Sequence, residues 1–340
     1  MLSRRLLIPT DDGLRRHKNR RPMRRTVFTL PRGNAKRPWK VAYKTKLGHA
    51  VHGDASAFLQ DPALKHLRGR AQLLFTSPPF PLRTKKSYGN LTGAEYVRWL
   101  AAFGALFRDW VRPSGSIVIE VGNAWEPGQP TMSTLPTKAL LEIQEANNLF
   151  LCQEFICHNP ARLPSPAQWV TIERIRVKDS FTKLWWLSAS PRPKANNRRV
   201  LQEYSEDMKR LIAGKRYKSG LRPSQHVIGE ESFMKNNGGS IPPSVLSLSN
   251  TGINDSYQRY CRQEKLRLHP ARMPIGLADF FIKLLTTPGD LVIDPFAGSN
   301  ITGASAEALG RRWLAIEANP EYVRGSKGRF PKPVHRQRRS

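Results

Sequence analysis

Hydrophobic positions along the chain follow two spacings, and where one gives way to the other the elements can be placed. Ala71 to Thr76 (AQLLFT) is a near-continuous apolar run stopped by Pro78 and Pro79, the pattern of a strand buried on both faces of a parallel sheet. From Ala94 to Val111, the residues Tyr96, Val97, Leu100, Phe103, Leu106, Phe107 and Trp110 recur at helical spacing. Arg112-Pro113-Ser114-Gly115 then stops the helix before a second strand at Ser116 to Val121 (SIVIEV). Strand, helix, strand is the unit from which parallel α/β sheets are built. The same grammar returns near the end of the chain. Leu277 to Leu285 reads as a helix, Pro288-Gly289-Asp290 as a turn and Leu291 to Asp294 (LVID) as a strand. Ile301 to Leu309 is the next helix, closed by Gly310, and Trp313 to Glu317 (WLAIE) the next strand. Ala50 to Gly53 reads as a further short strand, ending at Asp54.

Between these halves, residues 159–265 hold many Pro, Asn, Arg and Lys, with poor periodicity apart from a strand at Lys183 to Ser188. This predicts an irregular insert. Its donors include Lys194, Asn196, Asn197, Arg198 and Arg199, then Lys215, Arg216, Lys218 and Arg222, which suit phosphates and base edges and would equally suit a solvated surface.

Charge turns this picture toward a polyanion. The 340 residues carry a formal net charge of +30, a field that attracts nucleic acid. Residues 1–46 hold 15 Lys or Arg against Asp11 and Asp12, and residues 324–340 hold seven with no acid, so both ends read as basic arms, the first expected to be flexible. The stretch between them is still net positive. No apolar run is long enough to span a bilayer, and Leu6 to Ile8 is too short for a signal peptide, so an intracellular protein is expected. Three cysteines, Cys152, Cys157 and Cys261, form no disulfide framework. Cys152 and Cys157 have only His158 beside them, so no metal is expected.

Two short motifs carry the candidate chemistry. Asp294 ends an apolar strand, Gly298 lies in the turn that follows, and a helix opens at Ile301, so the backbone can pass close to a ligand at the carboxyl end of the sheet. Glu317 ends the next strand 23 residues on, near the spacing of about 20 at which a carboxylate accepts from ribose hydroxyls. The second motif is Ser77-Pro78-Pro79-Phe80, where two prolines fix the backbone after a buried strand.

Thr287-Pro288-Gly289-Asp290 to Asp294-Pro295-Phe296-Ala297-Gly298-Ser299 resembles the cofactor motif of amino-methylating DNA methyltransferases. That likeness implies S-adenosylmethionine, with Phe296, Gly298, Ser299 and Asn300 around its methionine portion, Asp294 in the turn, Glu317 on the ribose and Asp54 at the adenine amine. The family often has glycine where Asn300 stands, and Asn tolerates left-handed backbone. Ser-Pro-Pro before an aromatic is typical of cytosine-N4 enzymes, whereas Asp or Asn in the first position is typical of adenine-N6 enzymes. TSPPF, VGNAW, NPARLP, RIRVKD, WWLS, KANNRRVL, NGGSIPP and HPARMP are similar, in order and content, to cytosine-N4 methyltransferases of restriction-modification systems, of the PvuII type, over about residues 45–326.

The resemblance implies a Rossmann-like α/β methyltransferase fold, circularly permuted (the beta class), with a mainly parallel sheet and an inserted target-recognition region. The parts would be 47–158 (catalytic half), 159–265 (target recognition) and 266–323 (cofactor half), flanked by the arms 1–46 and 324–340. The catalytic residues would be Ser77, Pro78, Pro79 and Phe80. An exocyclic amine is a poor nucleophile because its lone pair is delocalised into the ring; acceptors on both N–H groups free that pair, and Phe80 would stack on a base extruded from the duplex. Ring-carbon methylation would need a nucleophilic thiolate, usually after proline, and the three cysteines follow Leu, Ile and Tyr. Arg83, Lys85, Lys86, Asn197, Arg198 and Arg199 are the expected DNA contacts. Double-stranded DNA is the expected partner of a monomer, with a cognate restriction endonuclease acting on the same site and no membrane. Adenine-N6 methylation on the same architecture is the alternative; a non-catalytic DNA-binding protein with a vestigial cofactor fold is the second.

Overall fold

A computed structural model of the chain describes residues 28–31, 37–80, 93–214, 217–231, 234–249 and 255–330. In chain order the elements that build the sheet are β1 (Trp39–Lys44), β2 (Gly48–Gly53), α1 (Ala55–Gln60), β3 (Ala71–Thr76), α2 (Gly93–Trp110), β4 (Val111–Gly122), α3 (Leu135–Asn147), β5 (Phe150–His158) and β6 (Phe181–Ser188). A short helix α4 (Glu206–Ile212) and a two-stranded ribbon, β7 (Gly220–Leu221) with β8 (Val227–Ile228), follow. The chain then returns through β9 (Val245–Ser247), α5 (Ser256–Gln263), α6 (Ile275–Leu285), β10 (Leu291–Asp294), α7 (Ile301–Ala308), β11 (Arg312–Glu317) and α8 (Pro320–Ser326).

Nine strands form one sheet in the order β1-β2-β11-β10-β3-β4-β6-β5-β9. From β2 to β4 the pairings are parallel; β1 joins β2 antiparallel, and β6 is antiparallel to both β4 and β5. The central strands are buried on both faces. Leu73 and Phe75 of β3 and Val118 of β4 share a core with Phe281, Ile282 and Leu285 of α6, while their neighbours Leu74, Ile117 and Ile119 are equally buried. Continuous apolar runs such as AQLLFT exist because neither face meets water. From β3 the chain winds through α2 to β4; from β10 it winds through α7 to β11, in the other direction. The order therefore reverses between β10 and β3, the crevice where open α/β sheets bind ligands. Asp294 ends β10 and Ser77 follows β3, so both motifs stand at this switch point.

The expected α/β fold, the helices and the central strands are found, with three differences in extent. The sheet begins at Trp39, so the N-terminal segment taken as a basic arm already supplies an edge strand. At the other end, structure continues through Phe330, whose ring stacks on Trp313 at 5.1 Å between centroids. The insert is not separate either, since it contributes β6 and β9 to the sheet. None of the described helices is long and apolar enough to cross a membrane.

Candidate active site

The two motifs are physically joined. Asp294 Oδ1 accepts from Thr76 Oγ1 at 2.7 Å, across the switch point, and from its own turn at Phe296 N (3.1 Å); Oδ2 accepts from Thr302 Oγ1 (2.7 Å). With 4% of its surface exposed, this carboxylate is a brace between the halves. Burial pushes its acid up to about 6 despite three donors. A raised folded value means that the fold favours the protonated form. The contribution of Asp294 to stability is therefore fully present below about pH 4 and is lost as the pH rises through 6. Asp294→Asn should flatten that limb by roughly 3 kcal/mol at most. Urea midpoints at pH 4.5 to 7.5 check this, and parallel curves for the two proteins would refute it.

The turn after β10 is held from both sides. Ala297 N donates to Ile316 O (2.9 Å) and Gly298 N to Glu317 Oε2 (2.7 Å), while Glu317 Oε1 accepts from Asn319 N (2.8 Å). Burial raises the Glu317 acid, opposed by these backbone donors. Gly298 has φ +51°, and a Cβ there would lie 2.9 Å from His269 Nε2. Asn300 takes left-handed backbone (φ 56°, ψ 45°), as anticipated. Its side chain, however, caps α7 through Gly303 N (3.0 Å) and donates to Tyr43 Oη (3.1 Å), leaving it 1% exposed. Ser299 is likewise turned inward: Arg329 donates to its carbonyl (2.5 Å) and its Oγ (2.9 Å). Asn300 and Ser299 therefore build the turn with their side chains turned into the fold. Phe296 packs edge-on against Phe103 (5.1 Å) and beside Trp99 (5.7 Å), both on α2. Asp54, at the carboxyl end of β2 beside β11, is exposed and gives Oδ1 to the cap of α1 (Ala57 N, 2.8 Å).

S-adenosylmethionine, the methyl donor, fits these residues. A side chain at Gly298 would fill the bare backbone that it needs. Phe296 offers an aromatic edge, and Glu317 sets its carboxylate beside the turn.

Ser77 and Phe80 stand across the switch point from that turn. Phe80 lies over the end of β4, where a Cβ on Gly122 would come within 2.8 Å of its ring. Ser77 stands beside Glu120, a residue absent from the sequence-based site, and its hydroxyl lowers the Glu120 acid. Glu120 is 6% exposed on β4 and also accepts from Thr182 Oγ1 of β6 (2.9 Å); burial raises its acid, and the Asp294 charge adds to that. A carboxylate inside the apolar run SIVIEV was the signal that could have found it. Cys157 is near by, its thiol pushed up to about 12 by burial and the Glu120 charge, so it is no thiolate nucleophile.

The expected DNA contacts divide. Arg83, Lys85 and Lys86 lie outside the described residues. Asn197, Arg198 and Arg199 follow β6, which runs antiparallel to β4 and so delivers them to the amino edge of the sheet, opposite Ser77. Lys194 N there donates to Ser114 O, its Nζ pairs with Asp290 (2.6 Å), and Asn196 N bonds Leu284 O. Arg199 Nη1 donates to Thr286 O (2.8 Å) past the end of α6, while Asn197 and Arg198 are exposed. Lys194, Asn196 and Arg199 thus tie this segment to the amino edge of the sheet, the edge opposite Ser77. Among the described residues, no three His, Cys, Asp or Glu side chains converge as metal ligands.

A doubly wound sheet with an acidic strand end beside a glycine turn, and a Ser-Pro-Pro-Phe floor across the switch point, defines a nucleobase-amine methyltransferase of the α/β class. The chain belongs to the N6/N4 family of DNA methylases, whose sequence model matches residues 71–328. It is 42% identical over 293 residues to the type II methyltransferase M.PvuII of Proteus hauseri, a match covering 86% of either chain. The solved PvuII DNA methyltransferase (cytosine-N4-specific) superimposes with a TM-score of 0.69 at 35% identity, covering 87% of this chain and 90% of that one. A stretch of 56 residues is 48% identical to the DNA adenine methyltransferase YhdJ of Escherichia coli (strain K12), covering 16% of this chain and 19% of that one.

Proposed function

We propose that the protein methylates the exocyclic N4 amine of a cytosine extruded from double-stranded DNA, at a specific site. The observation that carries this reading is Ser77, first in its Ser-Pro-Pro-Phe motif directly after β3 and beside the buried Glu120. The likeness to M.PvuII over most of both chains supports it.

When bound, S-adenosylmethionine supplies an electrophilic methyl on its sulfonium. The protein orients the amine toward it. Phe80, braced on Gly122, offers a face for the base. Ser77 Oγ accepts one amine N–H, which draws the nitrogen lone pair out of conjugation with the ring. As the N–C bond forms and the S–C bond breaks, the amine becomes a cation whose proton is acidic. Ser77 Oγ takes that proton while passing its own to Glu120, and burial has raised the Glu120 acid toward the range where it can hold it. Proximity and exclusion of water supply most of the rate.

Methylation of the same site would protect DNA against a cognate endonuclease, and we read the active form on DNA as a monomer. The test is digestion to nucleosides of DNA from cells expressing the protein, followed by mass spectrometry. N4-methylcytosine, absent with Ser77→Ala, is the expected product. N6-methyladenine alone would overturn the base assignment.

A further inference from the structure

Apolar surface left in water beside an active site needs a reason, and one loop at the edge of the sheet that holds Ser77 carries four such side chains. The 22 residues between β5 and β6 include Leu163 (80% exposed), Ile172 (68%), Ile175 (48%) and Val177 (86%). Such clustering is uncommon on a surface that meets only solvent. The loop is not loosely held. Asn159 N donates to Ser180 O (2.8 Å), Asp179 N to Ser165 O (2.9 Å), and Lys178 Nζ to the carbonyls of Pro160 (3.0 Å) and Arg162 (3.4 Å). These bonds tie its two arms side by side, with Leu163 on one and Val177 on the other.

Topology fixes where the loop rises. Because β6 is antiparallel to β4, its first residues lie at the carboxyl end of β4, with Thr182 opposite Gly122. This is the edge of the sheet that holds Ser77. Three contacts root the loop there: Asn123 Nδ2 on Asp179 Oδ1 (2.8 Å), Arg176 Nε on Pro130 O (2.8 Å), and Thr182 on Glu120. Arg162, Arg174, Arg176 and Lys178 outnumber Glu173 and Asp179, so the exposed aliphatic side chains stand on a basic flank.

We propose that the β5–β6 loop is the wedge that enters the duplex beside the target nucleotide, with Leu163 and Val177 filling the stack where the extruded base was. The inference rests on the reading of the chain as a DNA methyltransferase. Extrusion leaves a gap in the stack, and an aliphatic side chain that occupies it opposes the return of the base. A polar side chain there would lose its hydration. The basic flank would keep the loop against the phosphates on either side.

The test uses duplex oligonucleotides carrying the methylation site, first mapped by sequencing DNA from expressing cells. Two forms are made, one with guanine opposite the target cytosine and one with an abasic position there, so that extrusion breaks no pair. The double substitution Leu163→Ala, Val177→Ala should lower kcat/KM on the paired duplex by ~10- to 30-fold, since base extrusion costs a few kcal/mol. On the abasic duplex the loss should shrink to ~3-fold or less, and Leu163→Phe should retain activity on both. Pyrrolo-cytosine at the target should show reduced fluorescence enhancement on binding to the double variant. Equal losses on both duplexes would overturn the proposal in favour of a groove or phosphate contact. Undiminished activity on the paired duplex would overturn it too and leave the apolar loop to a protein partner. Failure of the underlying reading is separable, because the unmodified protein would then methylate neither duplex.

Discussion

Replacing Glu120 by Gln is expected to lower kcat by about 10²- to 10³-fold, the usual worth of a positioned proton acceptor, while leaving cofactor affinity unchanged. The substitution keeps shape and volume. Gln can still accept from Thr182 Oγ1, but its amide must face Ser77 with a donor, so the Ser77 hydroxyl loses the partner that receives its proton. Glu120 is tied to Thr182 of β6, and its link to the turn at Phe296 to Asn300 is the field of Asp294. Cofactor titration followed by calorimetry should therefore give the same dissociation constant for both proteins. The pH profile separates a proton-accepting role from a packing role. In the unmodified protein, kcat should rise with pH as Glu120, raised by burial, becomes ionised; in Glu120→Gln that limb should be absent. A variant with kcat within about threefold of the original, or with the same acid limb, would remove Glu120 from the mechanism.

What could be read from the sequence depended on how completely each segment is surrounded. β3, β4, β10 and β11 are buried on both faces, and each is a short apolar run closed by Pro, Gly or an acid, so periodicity and punctuation agree. β5 and β1 lie toward the edges. Phe150, Leu151, Gln153 and Glu154 are exposed, and WKVAYK mixes charge with aromatic side chains, so neither run announces a strand. The site was legible at its two motifs because proline and glycine restrict the backbone locally. It was not legible where the fold brings distant donors together. Arg329 looked like part of a basic tail, yet its buried guanidinium sits 4.6 Å from the Tyr257 ring and holds the cofactor turn at Ser299. Lys194 to Arg199 looked like a phosphate-binding run for the opposite reason. Density of donors is visible in a sequence, whereas the edge of the sheet to which β6 carries them is not.

The left-handed backbone at Gly298 gives the other large effect. An alanine at this position should weaken S-adenosylmethionine binding by at least about tenfold, because two costs act together. Holding a non-glycine residue at φ +51° costs about 1 to 3 kcal/mol, and the new Cβ would sit 2.9 Å from His269 Nε2. His269 cannot simply step back: its ring meets Tyr322 edge-on at 4.7 Å, and its own N–H is held by Tyr257 Oη at 2.8 Å. Relief has to come from the turn, which would pull the Gly298 N–H from Glu317 Oε2 and shift that carboxylate. Gly289 provides the control. It has φ +87° with nothing within 4 Å of the added Cβ, so Gly289→Ala imposes comparable backbone strain without a collision. That variant should unfold at lower urea by about 1 kcal/mol and bind the cofactor normally. Gly298→Ala should show both the stability loss and the weakened binding, read separately by urea titration and calorimetry. Cofactor affinity equal in the two variants would mean that the turn at Gly298 yields to a methyl group and does not shape the cofactor site.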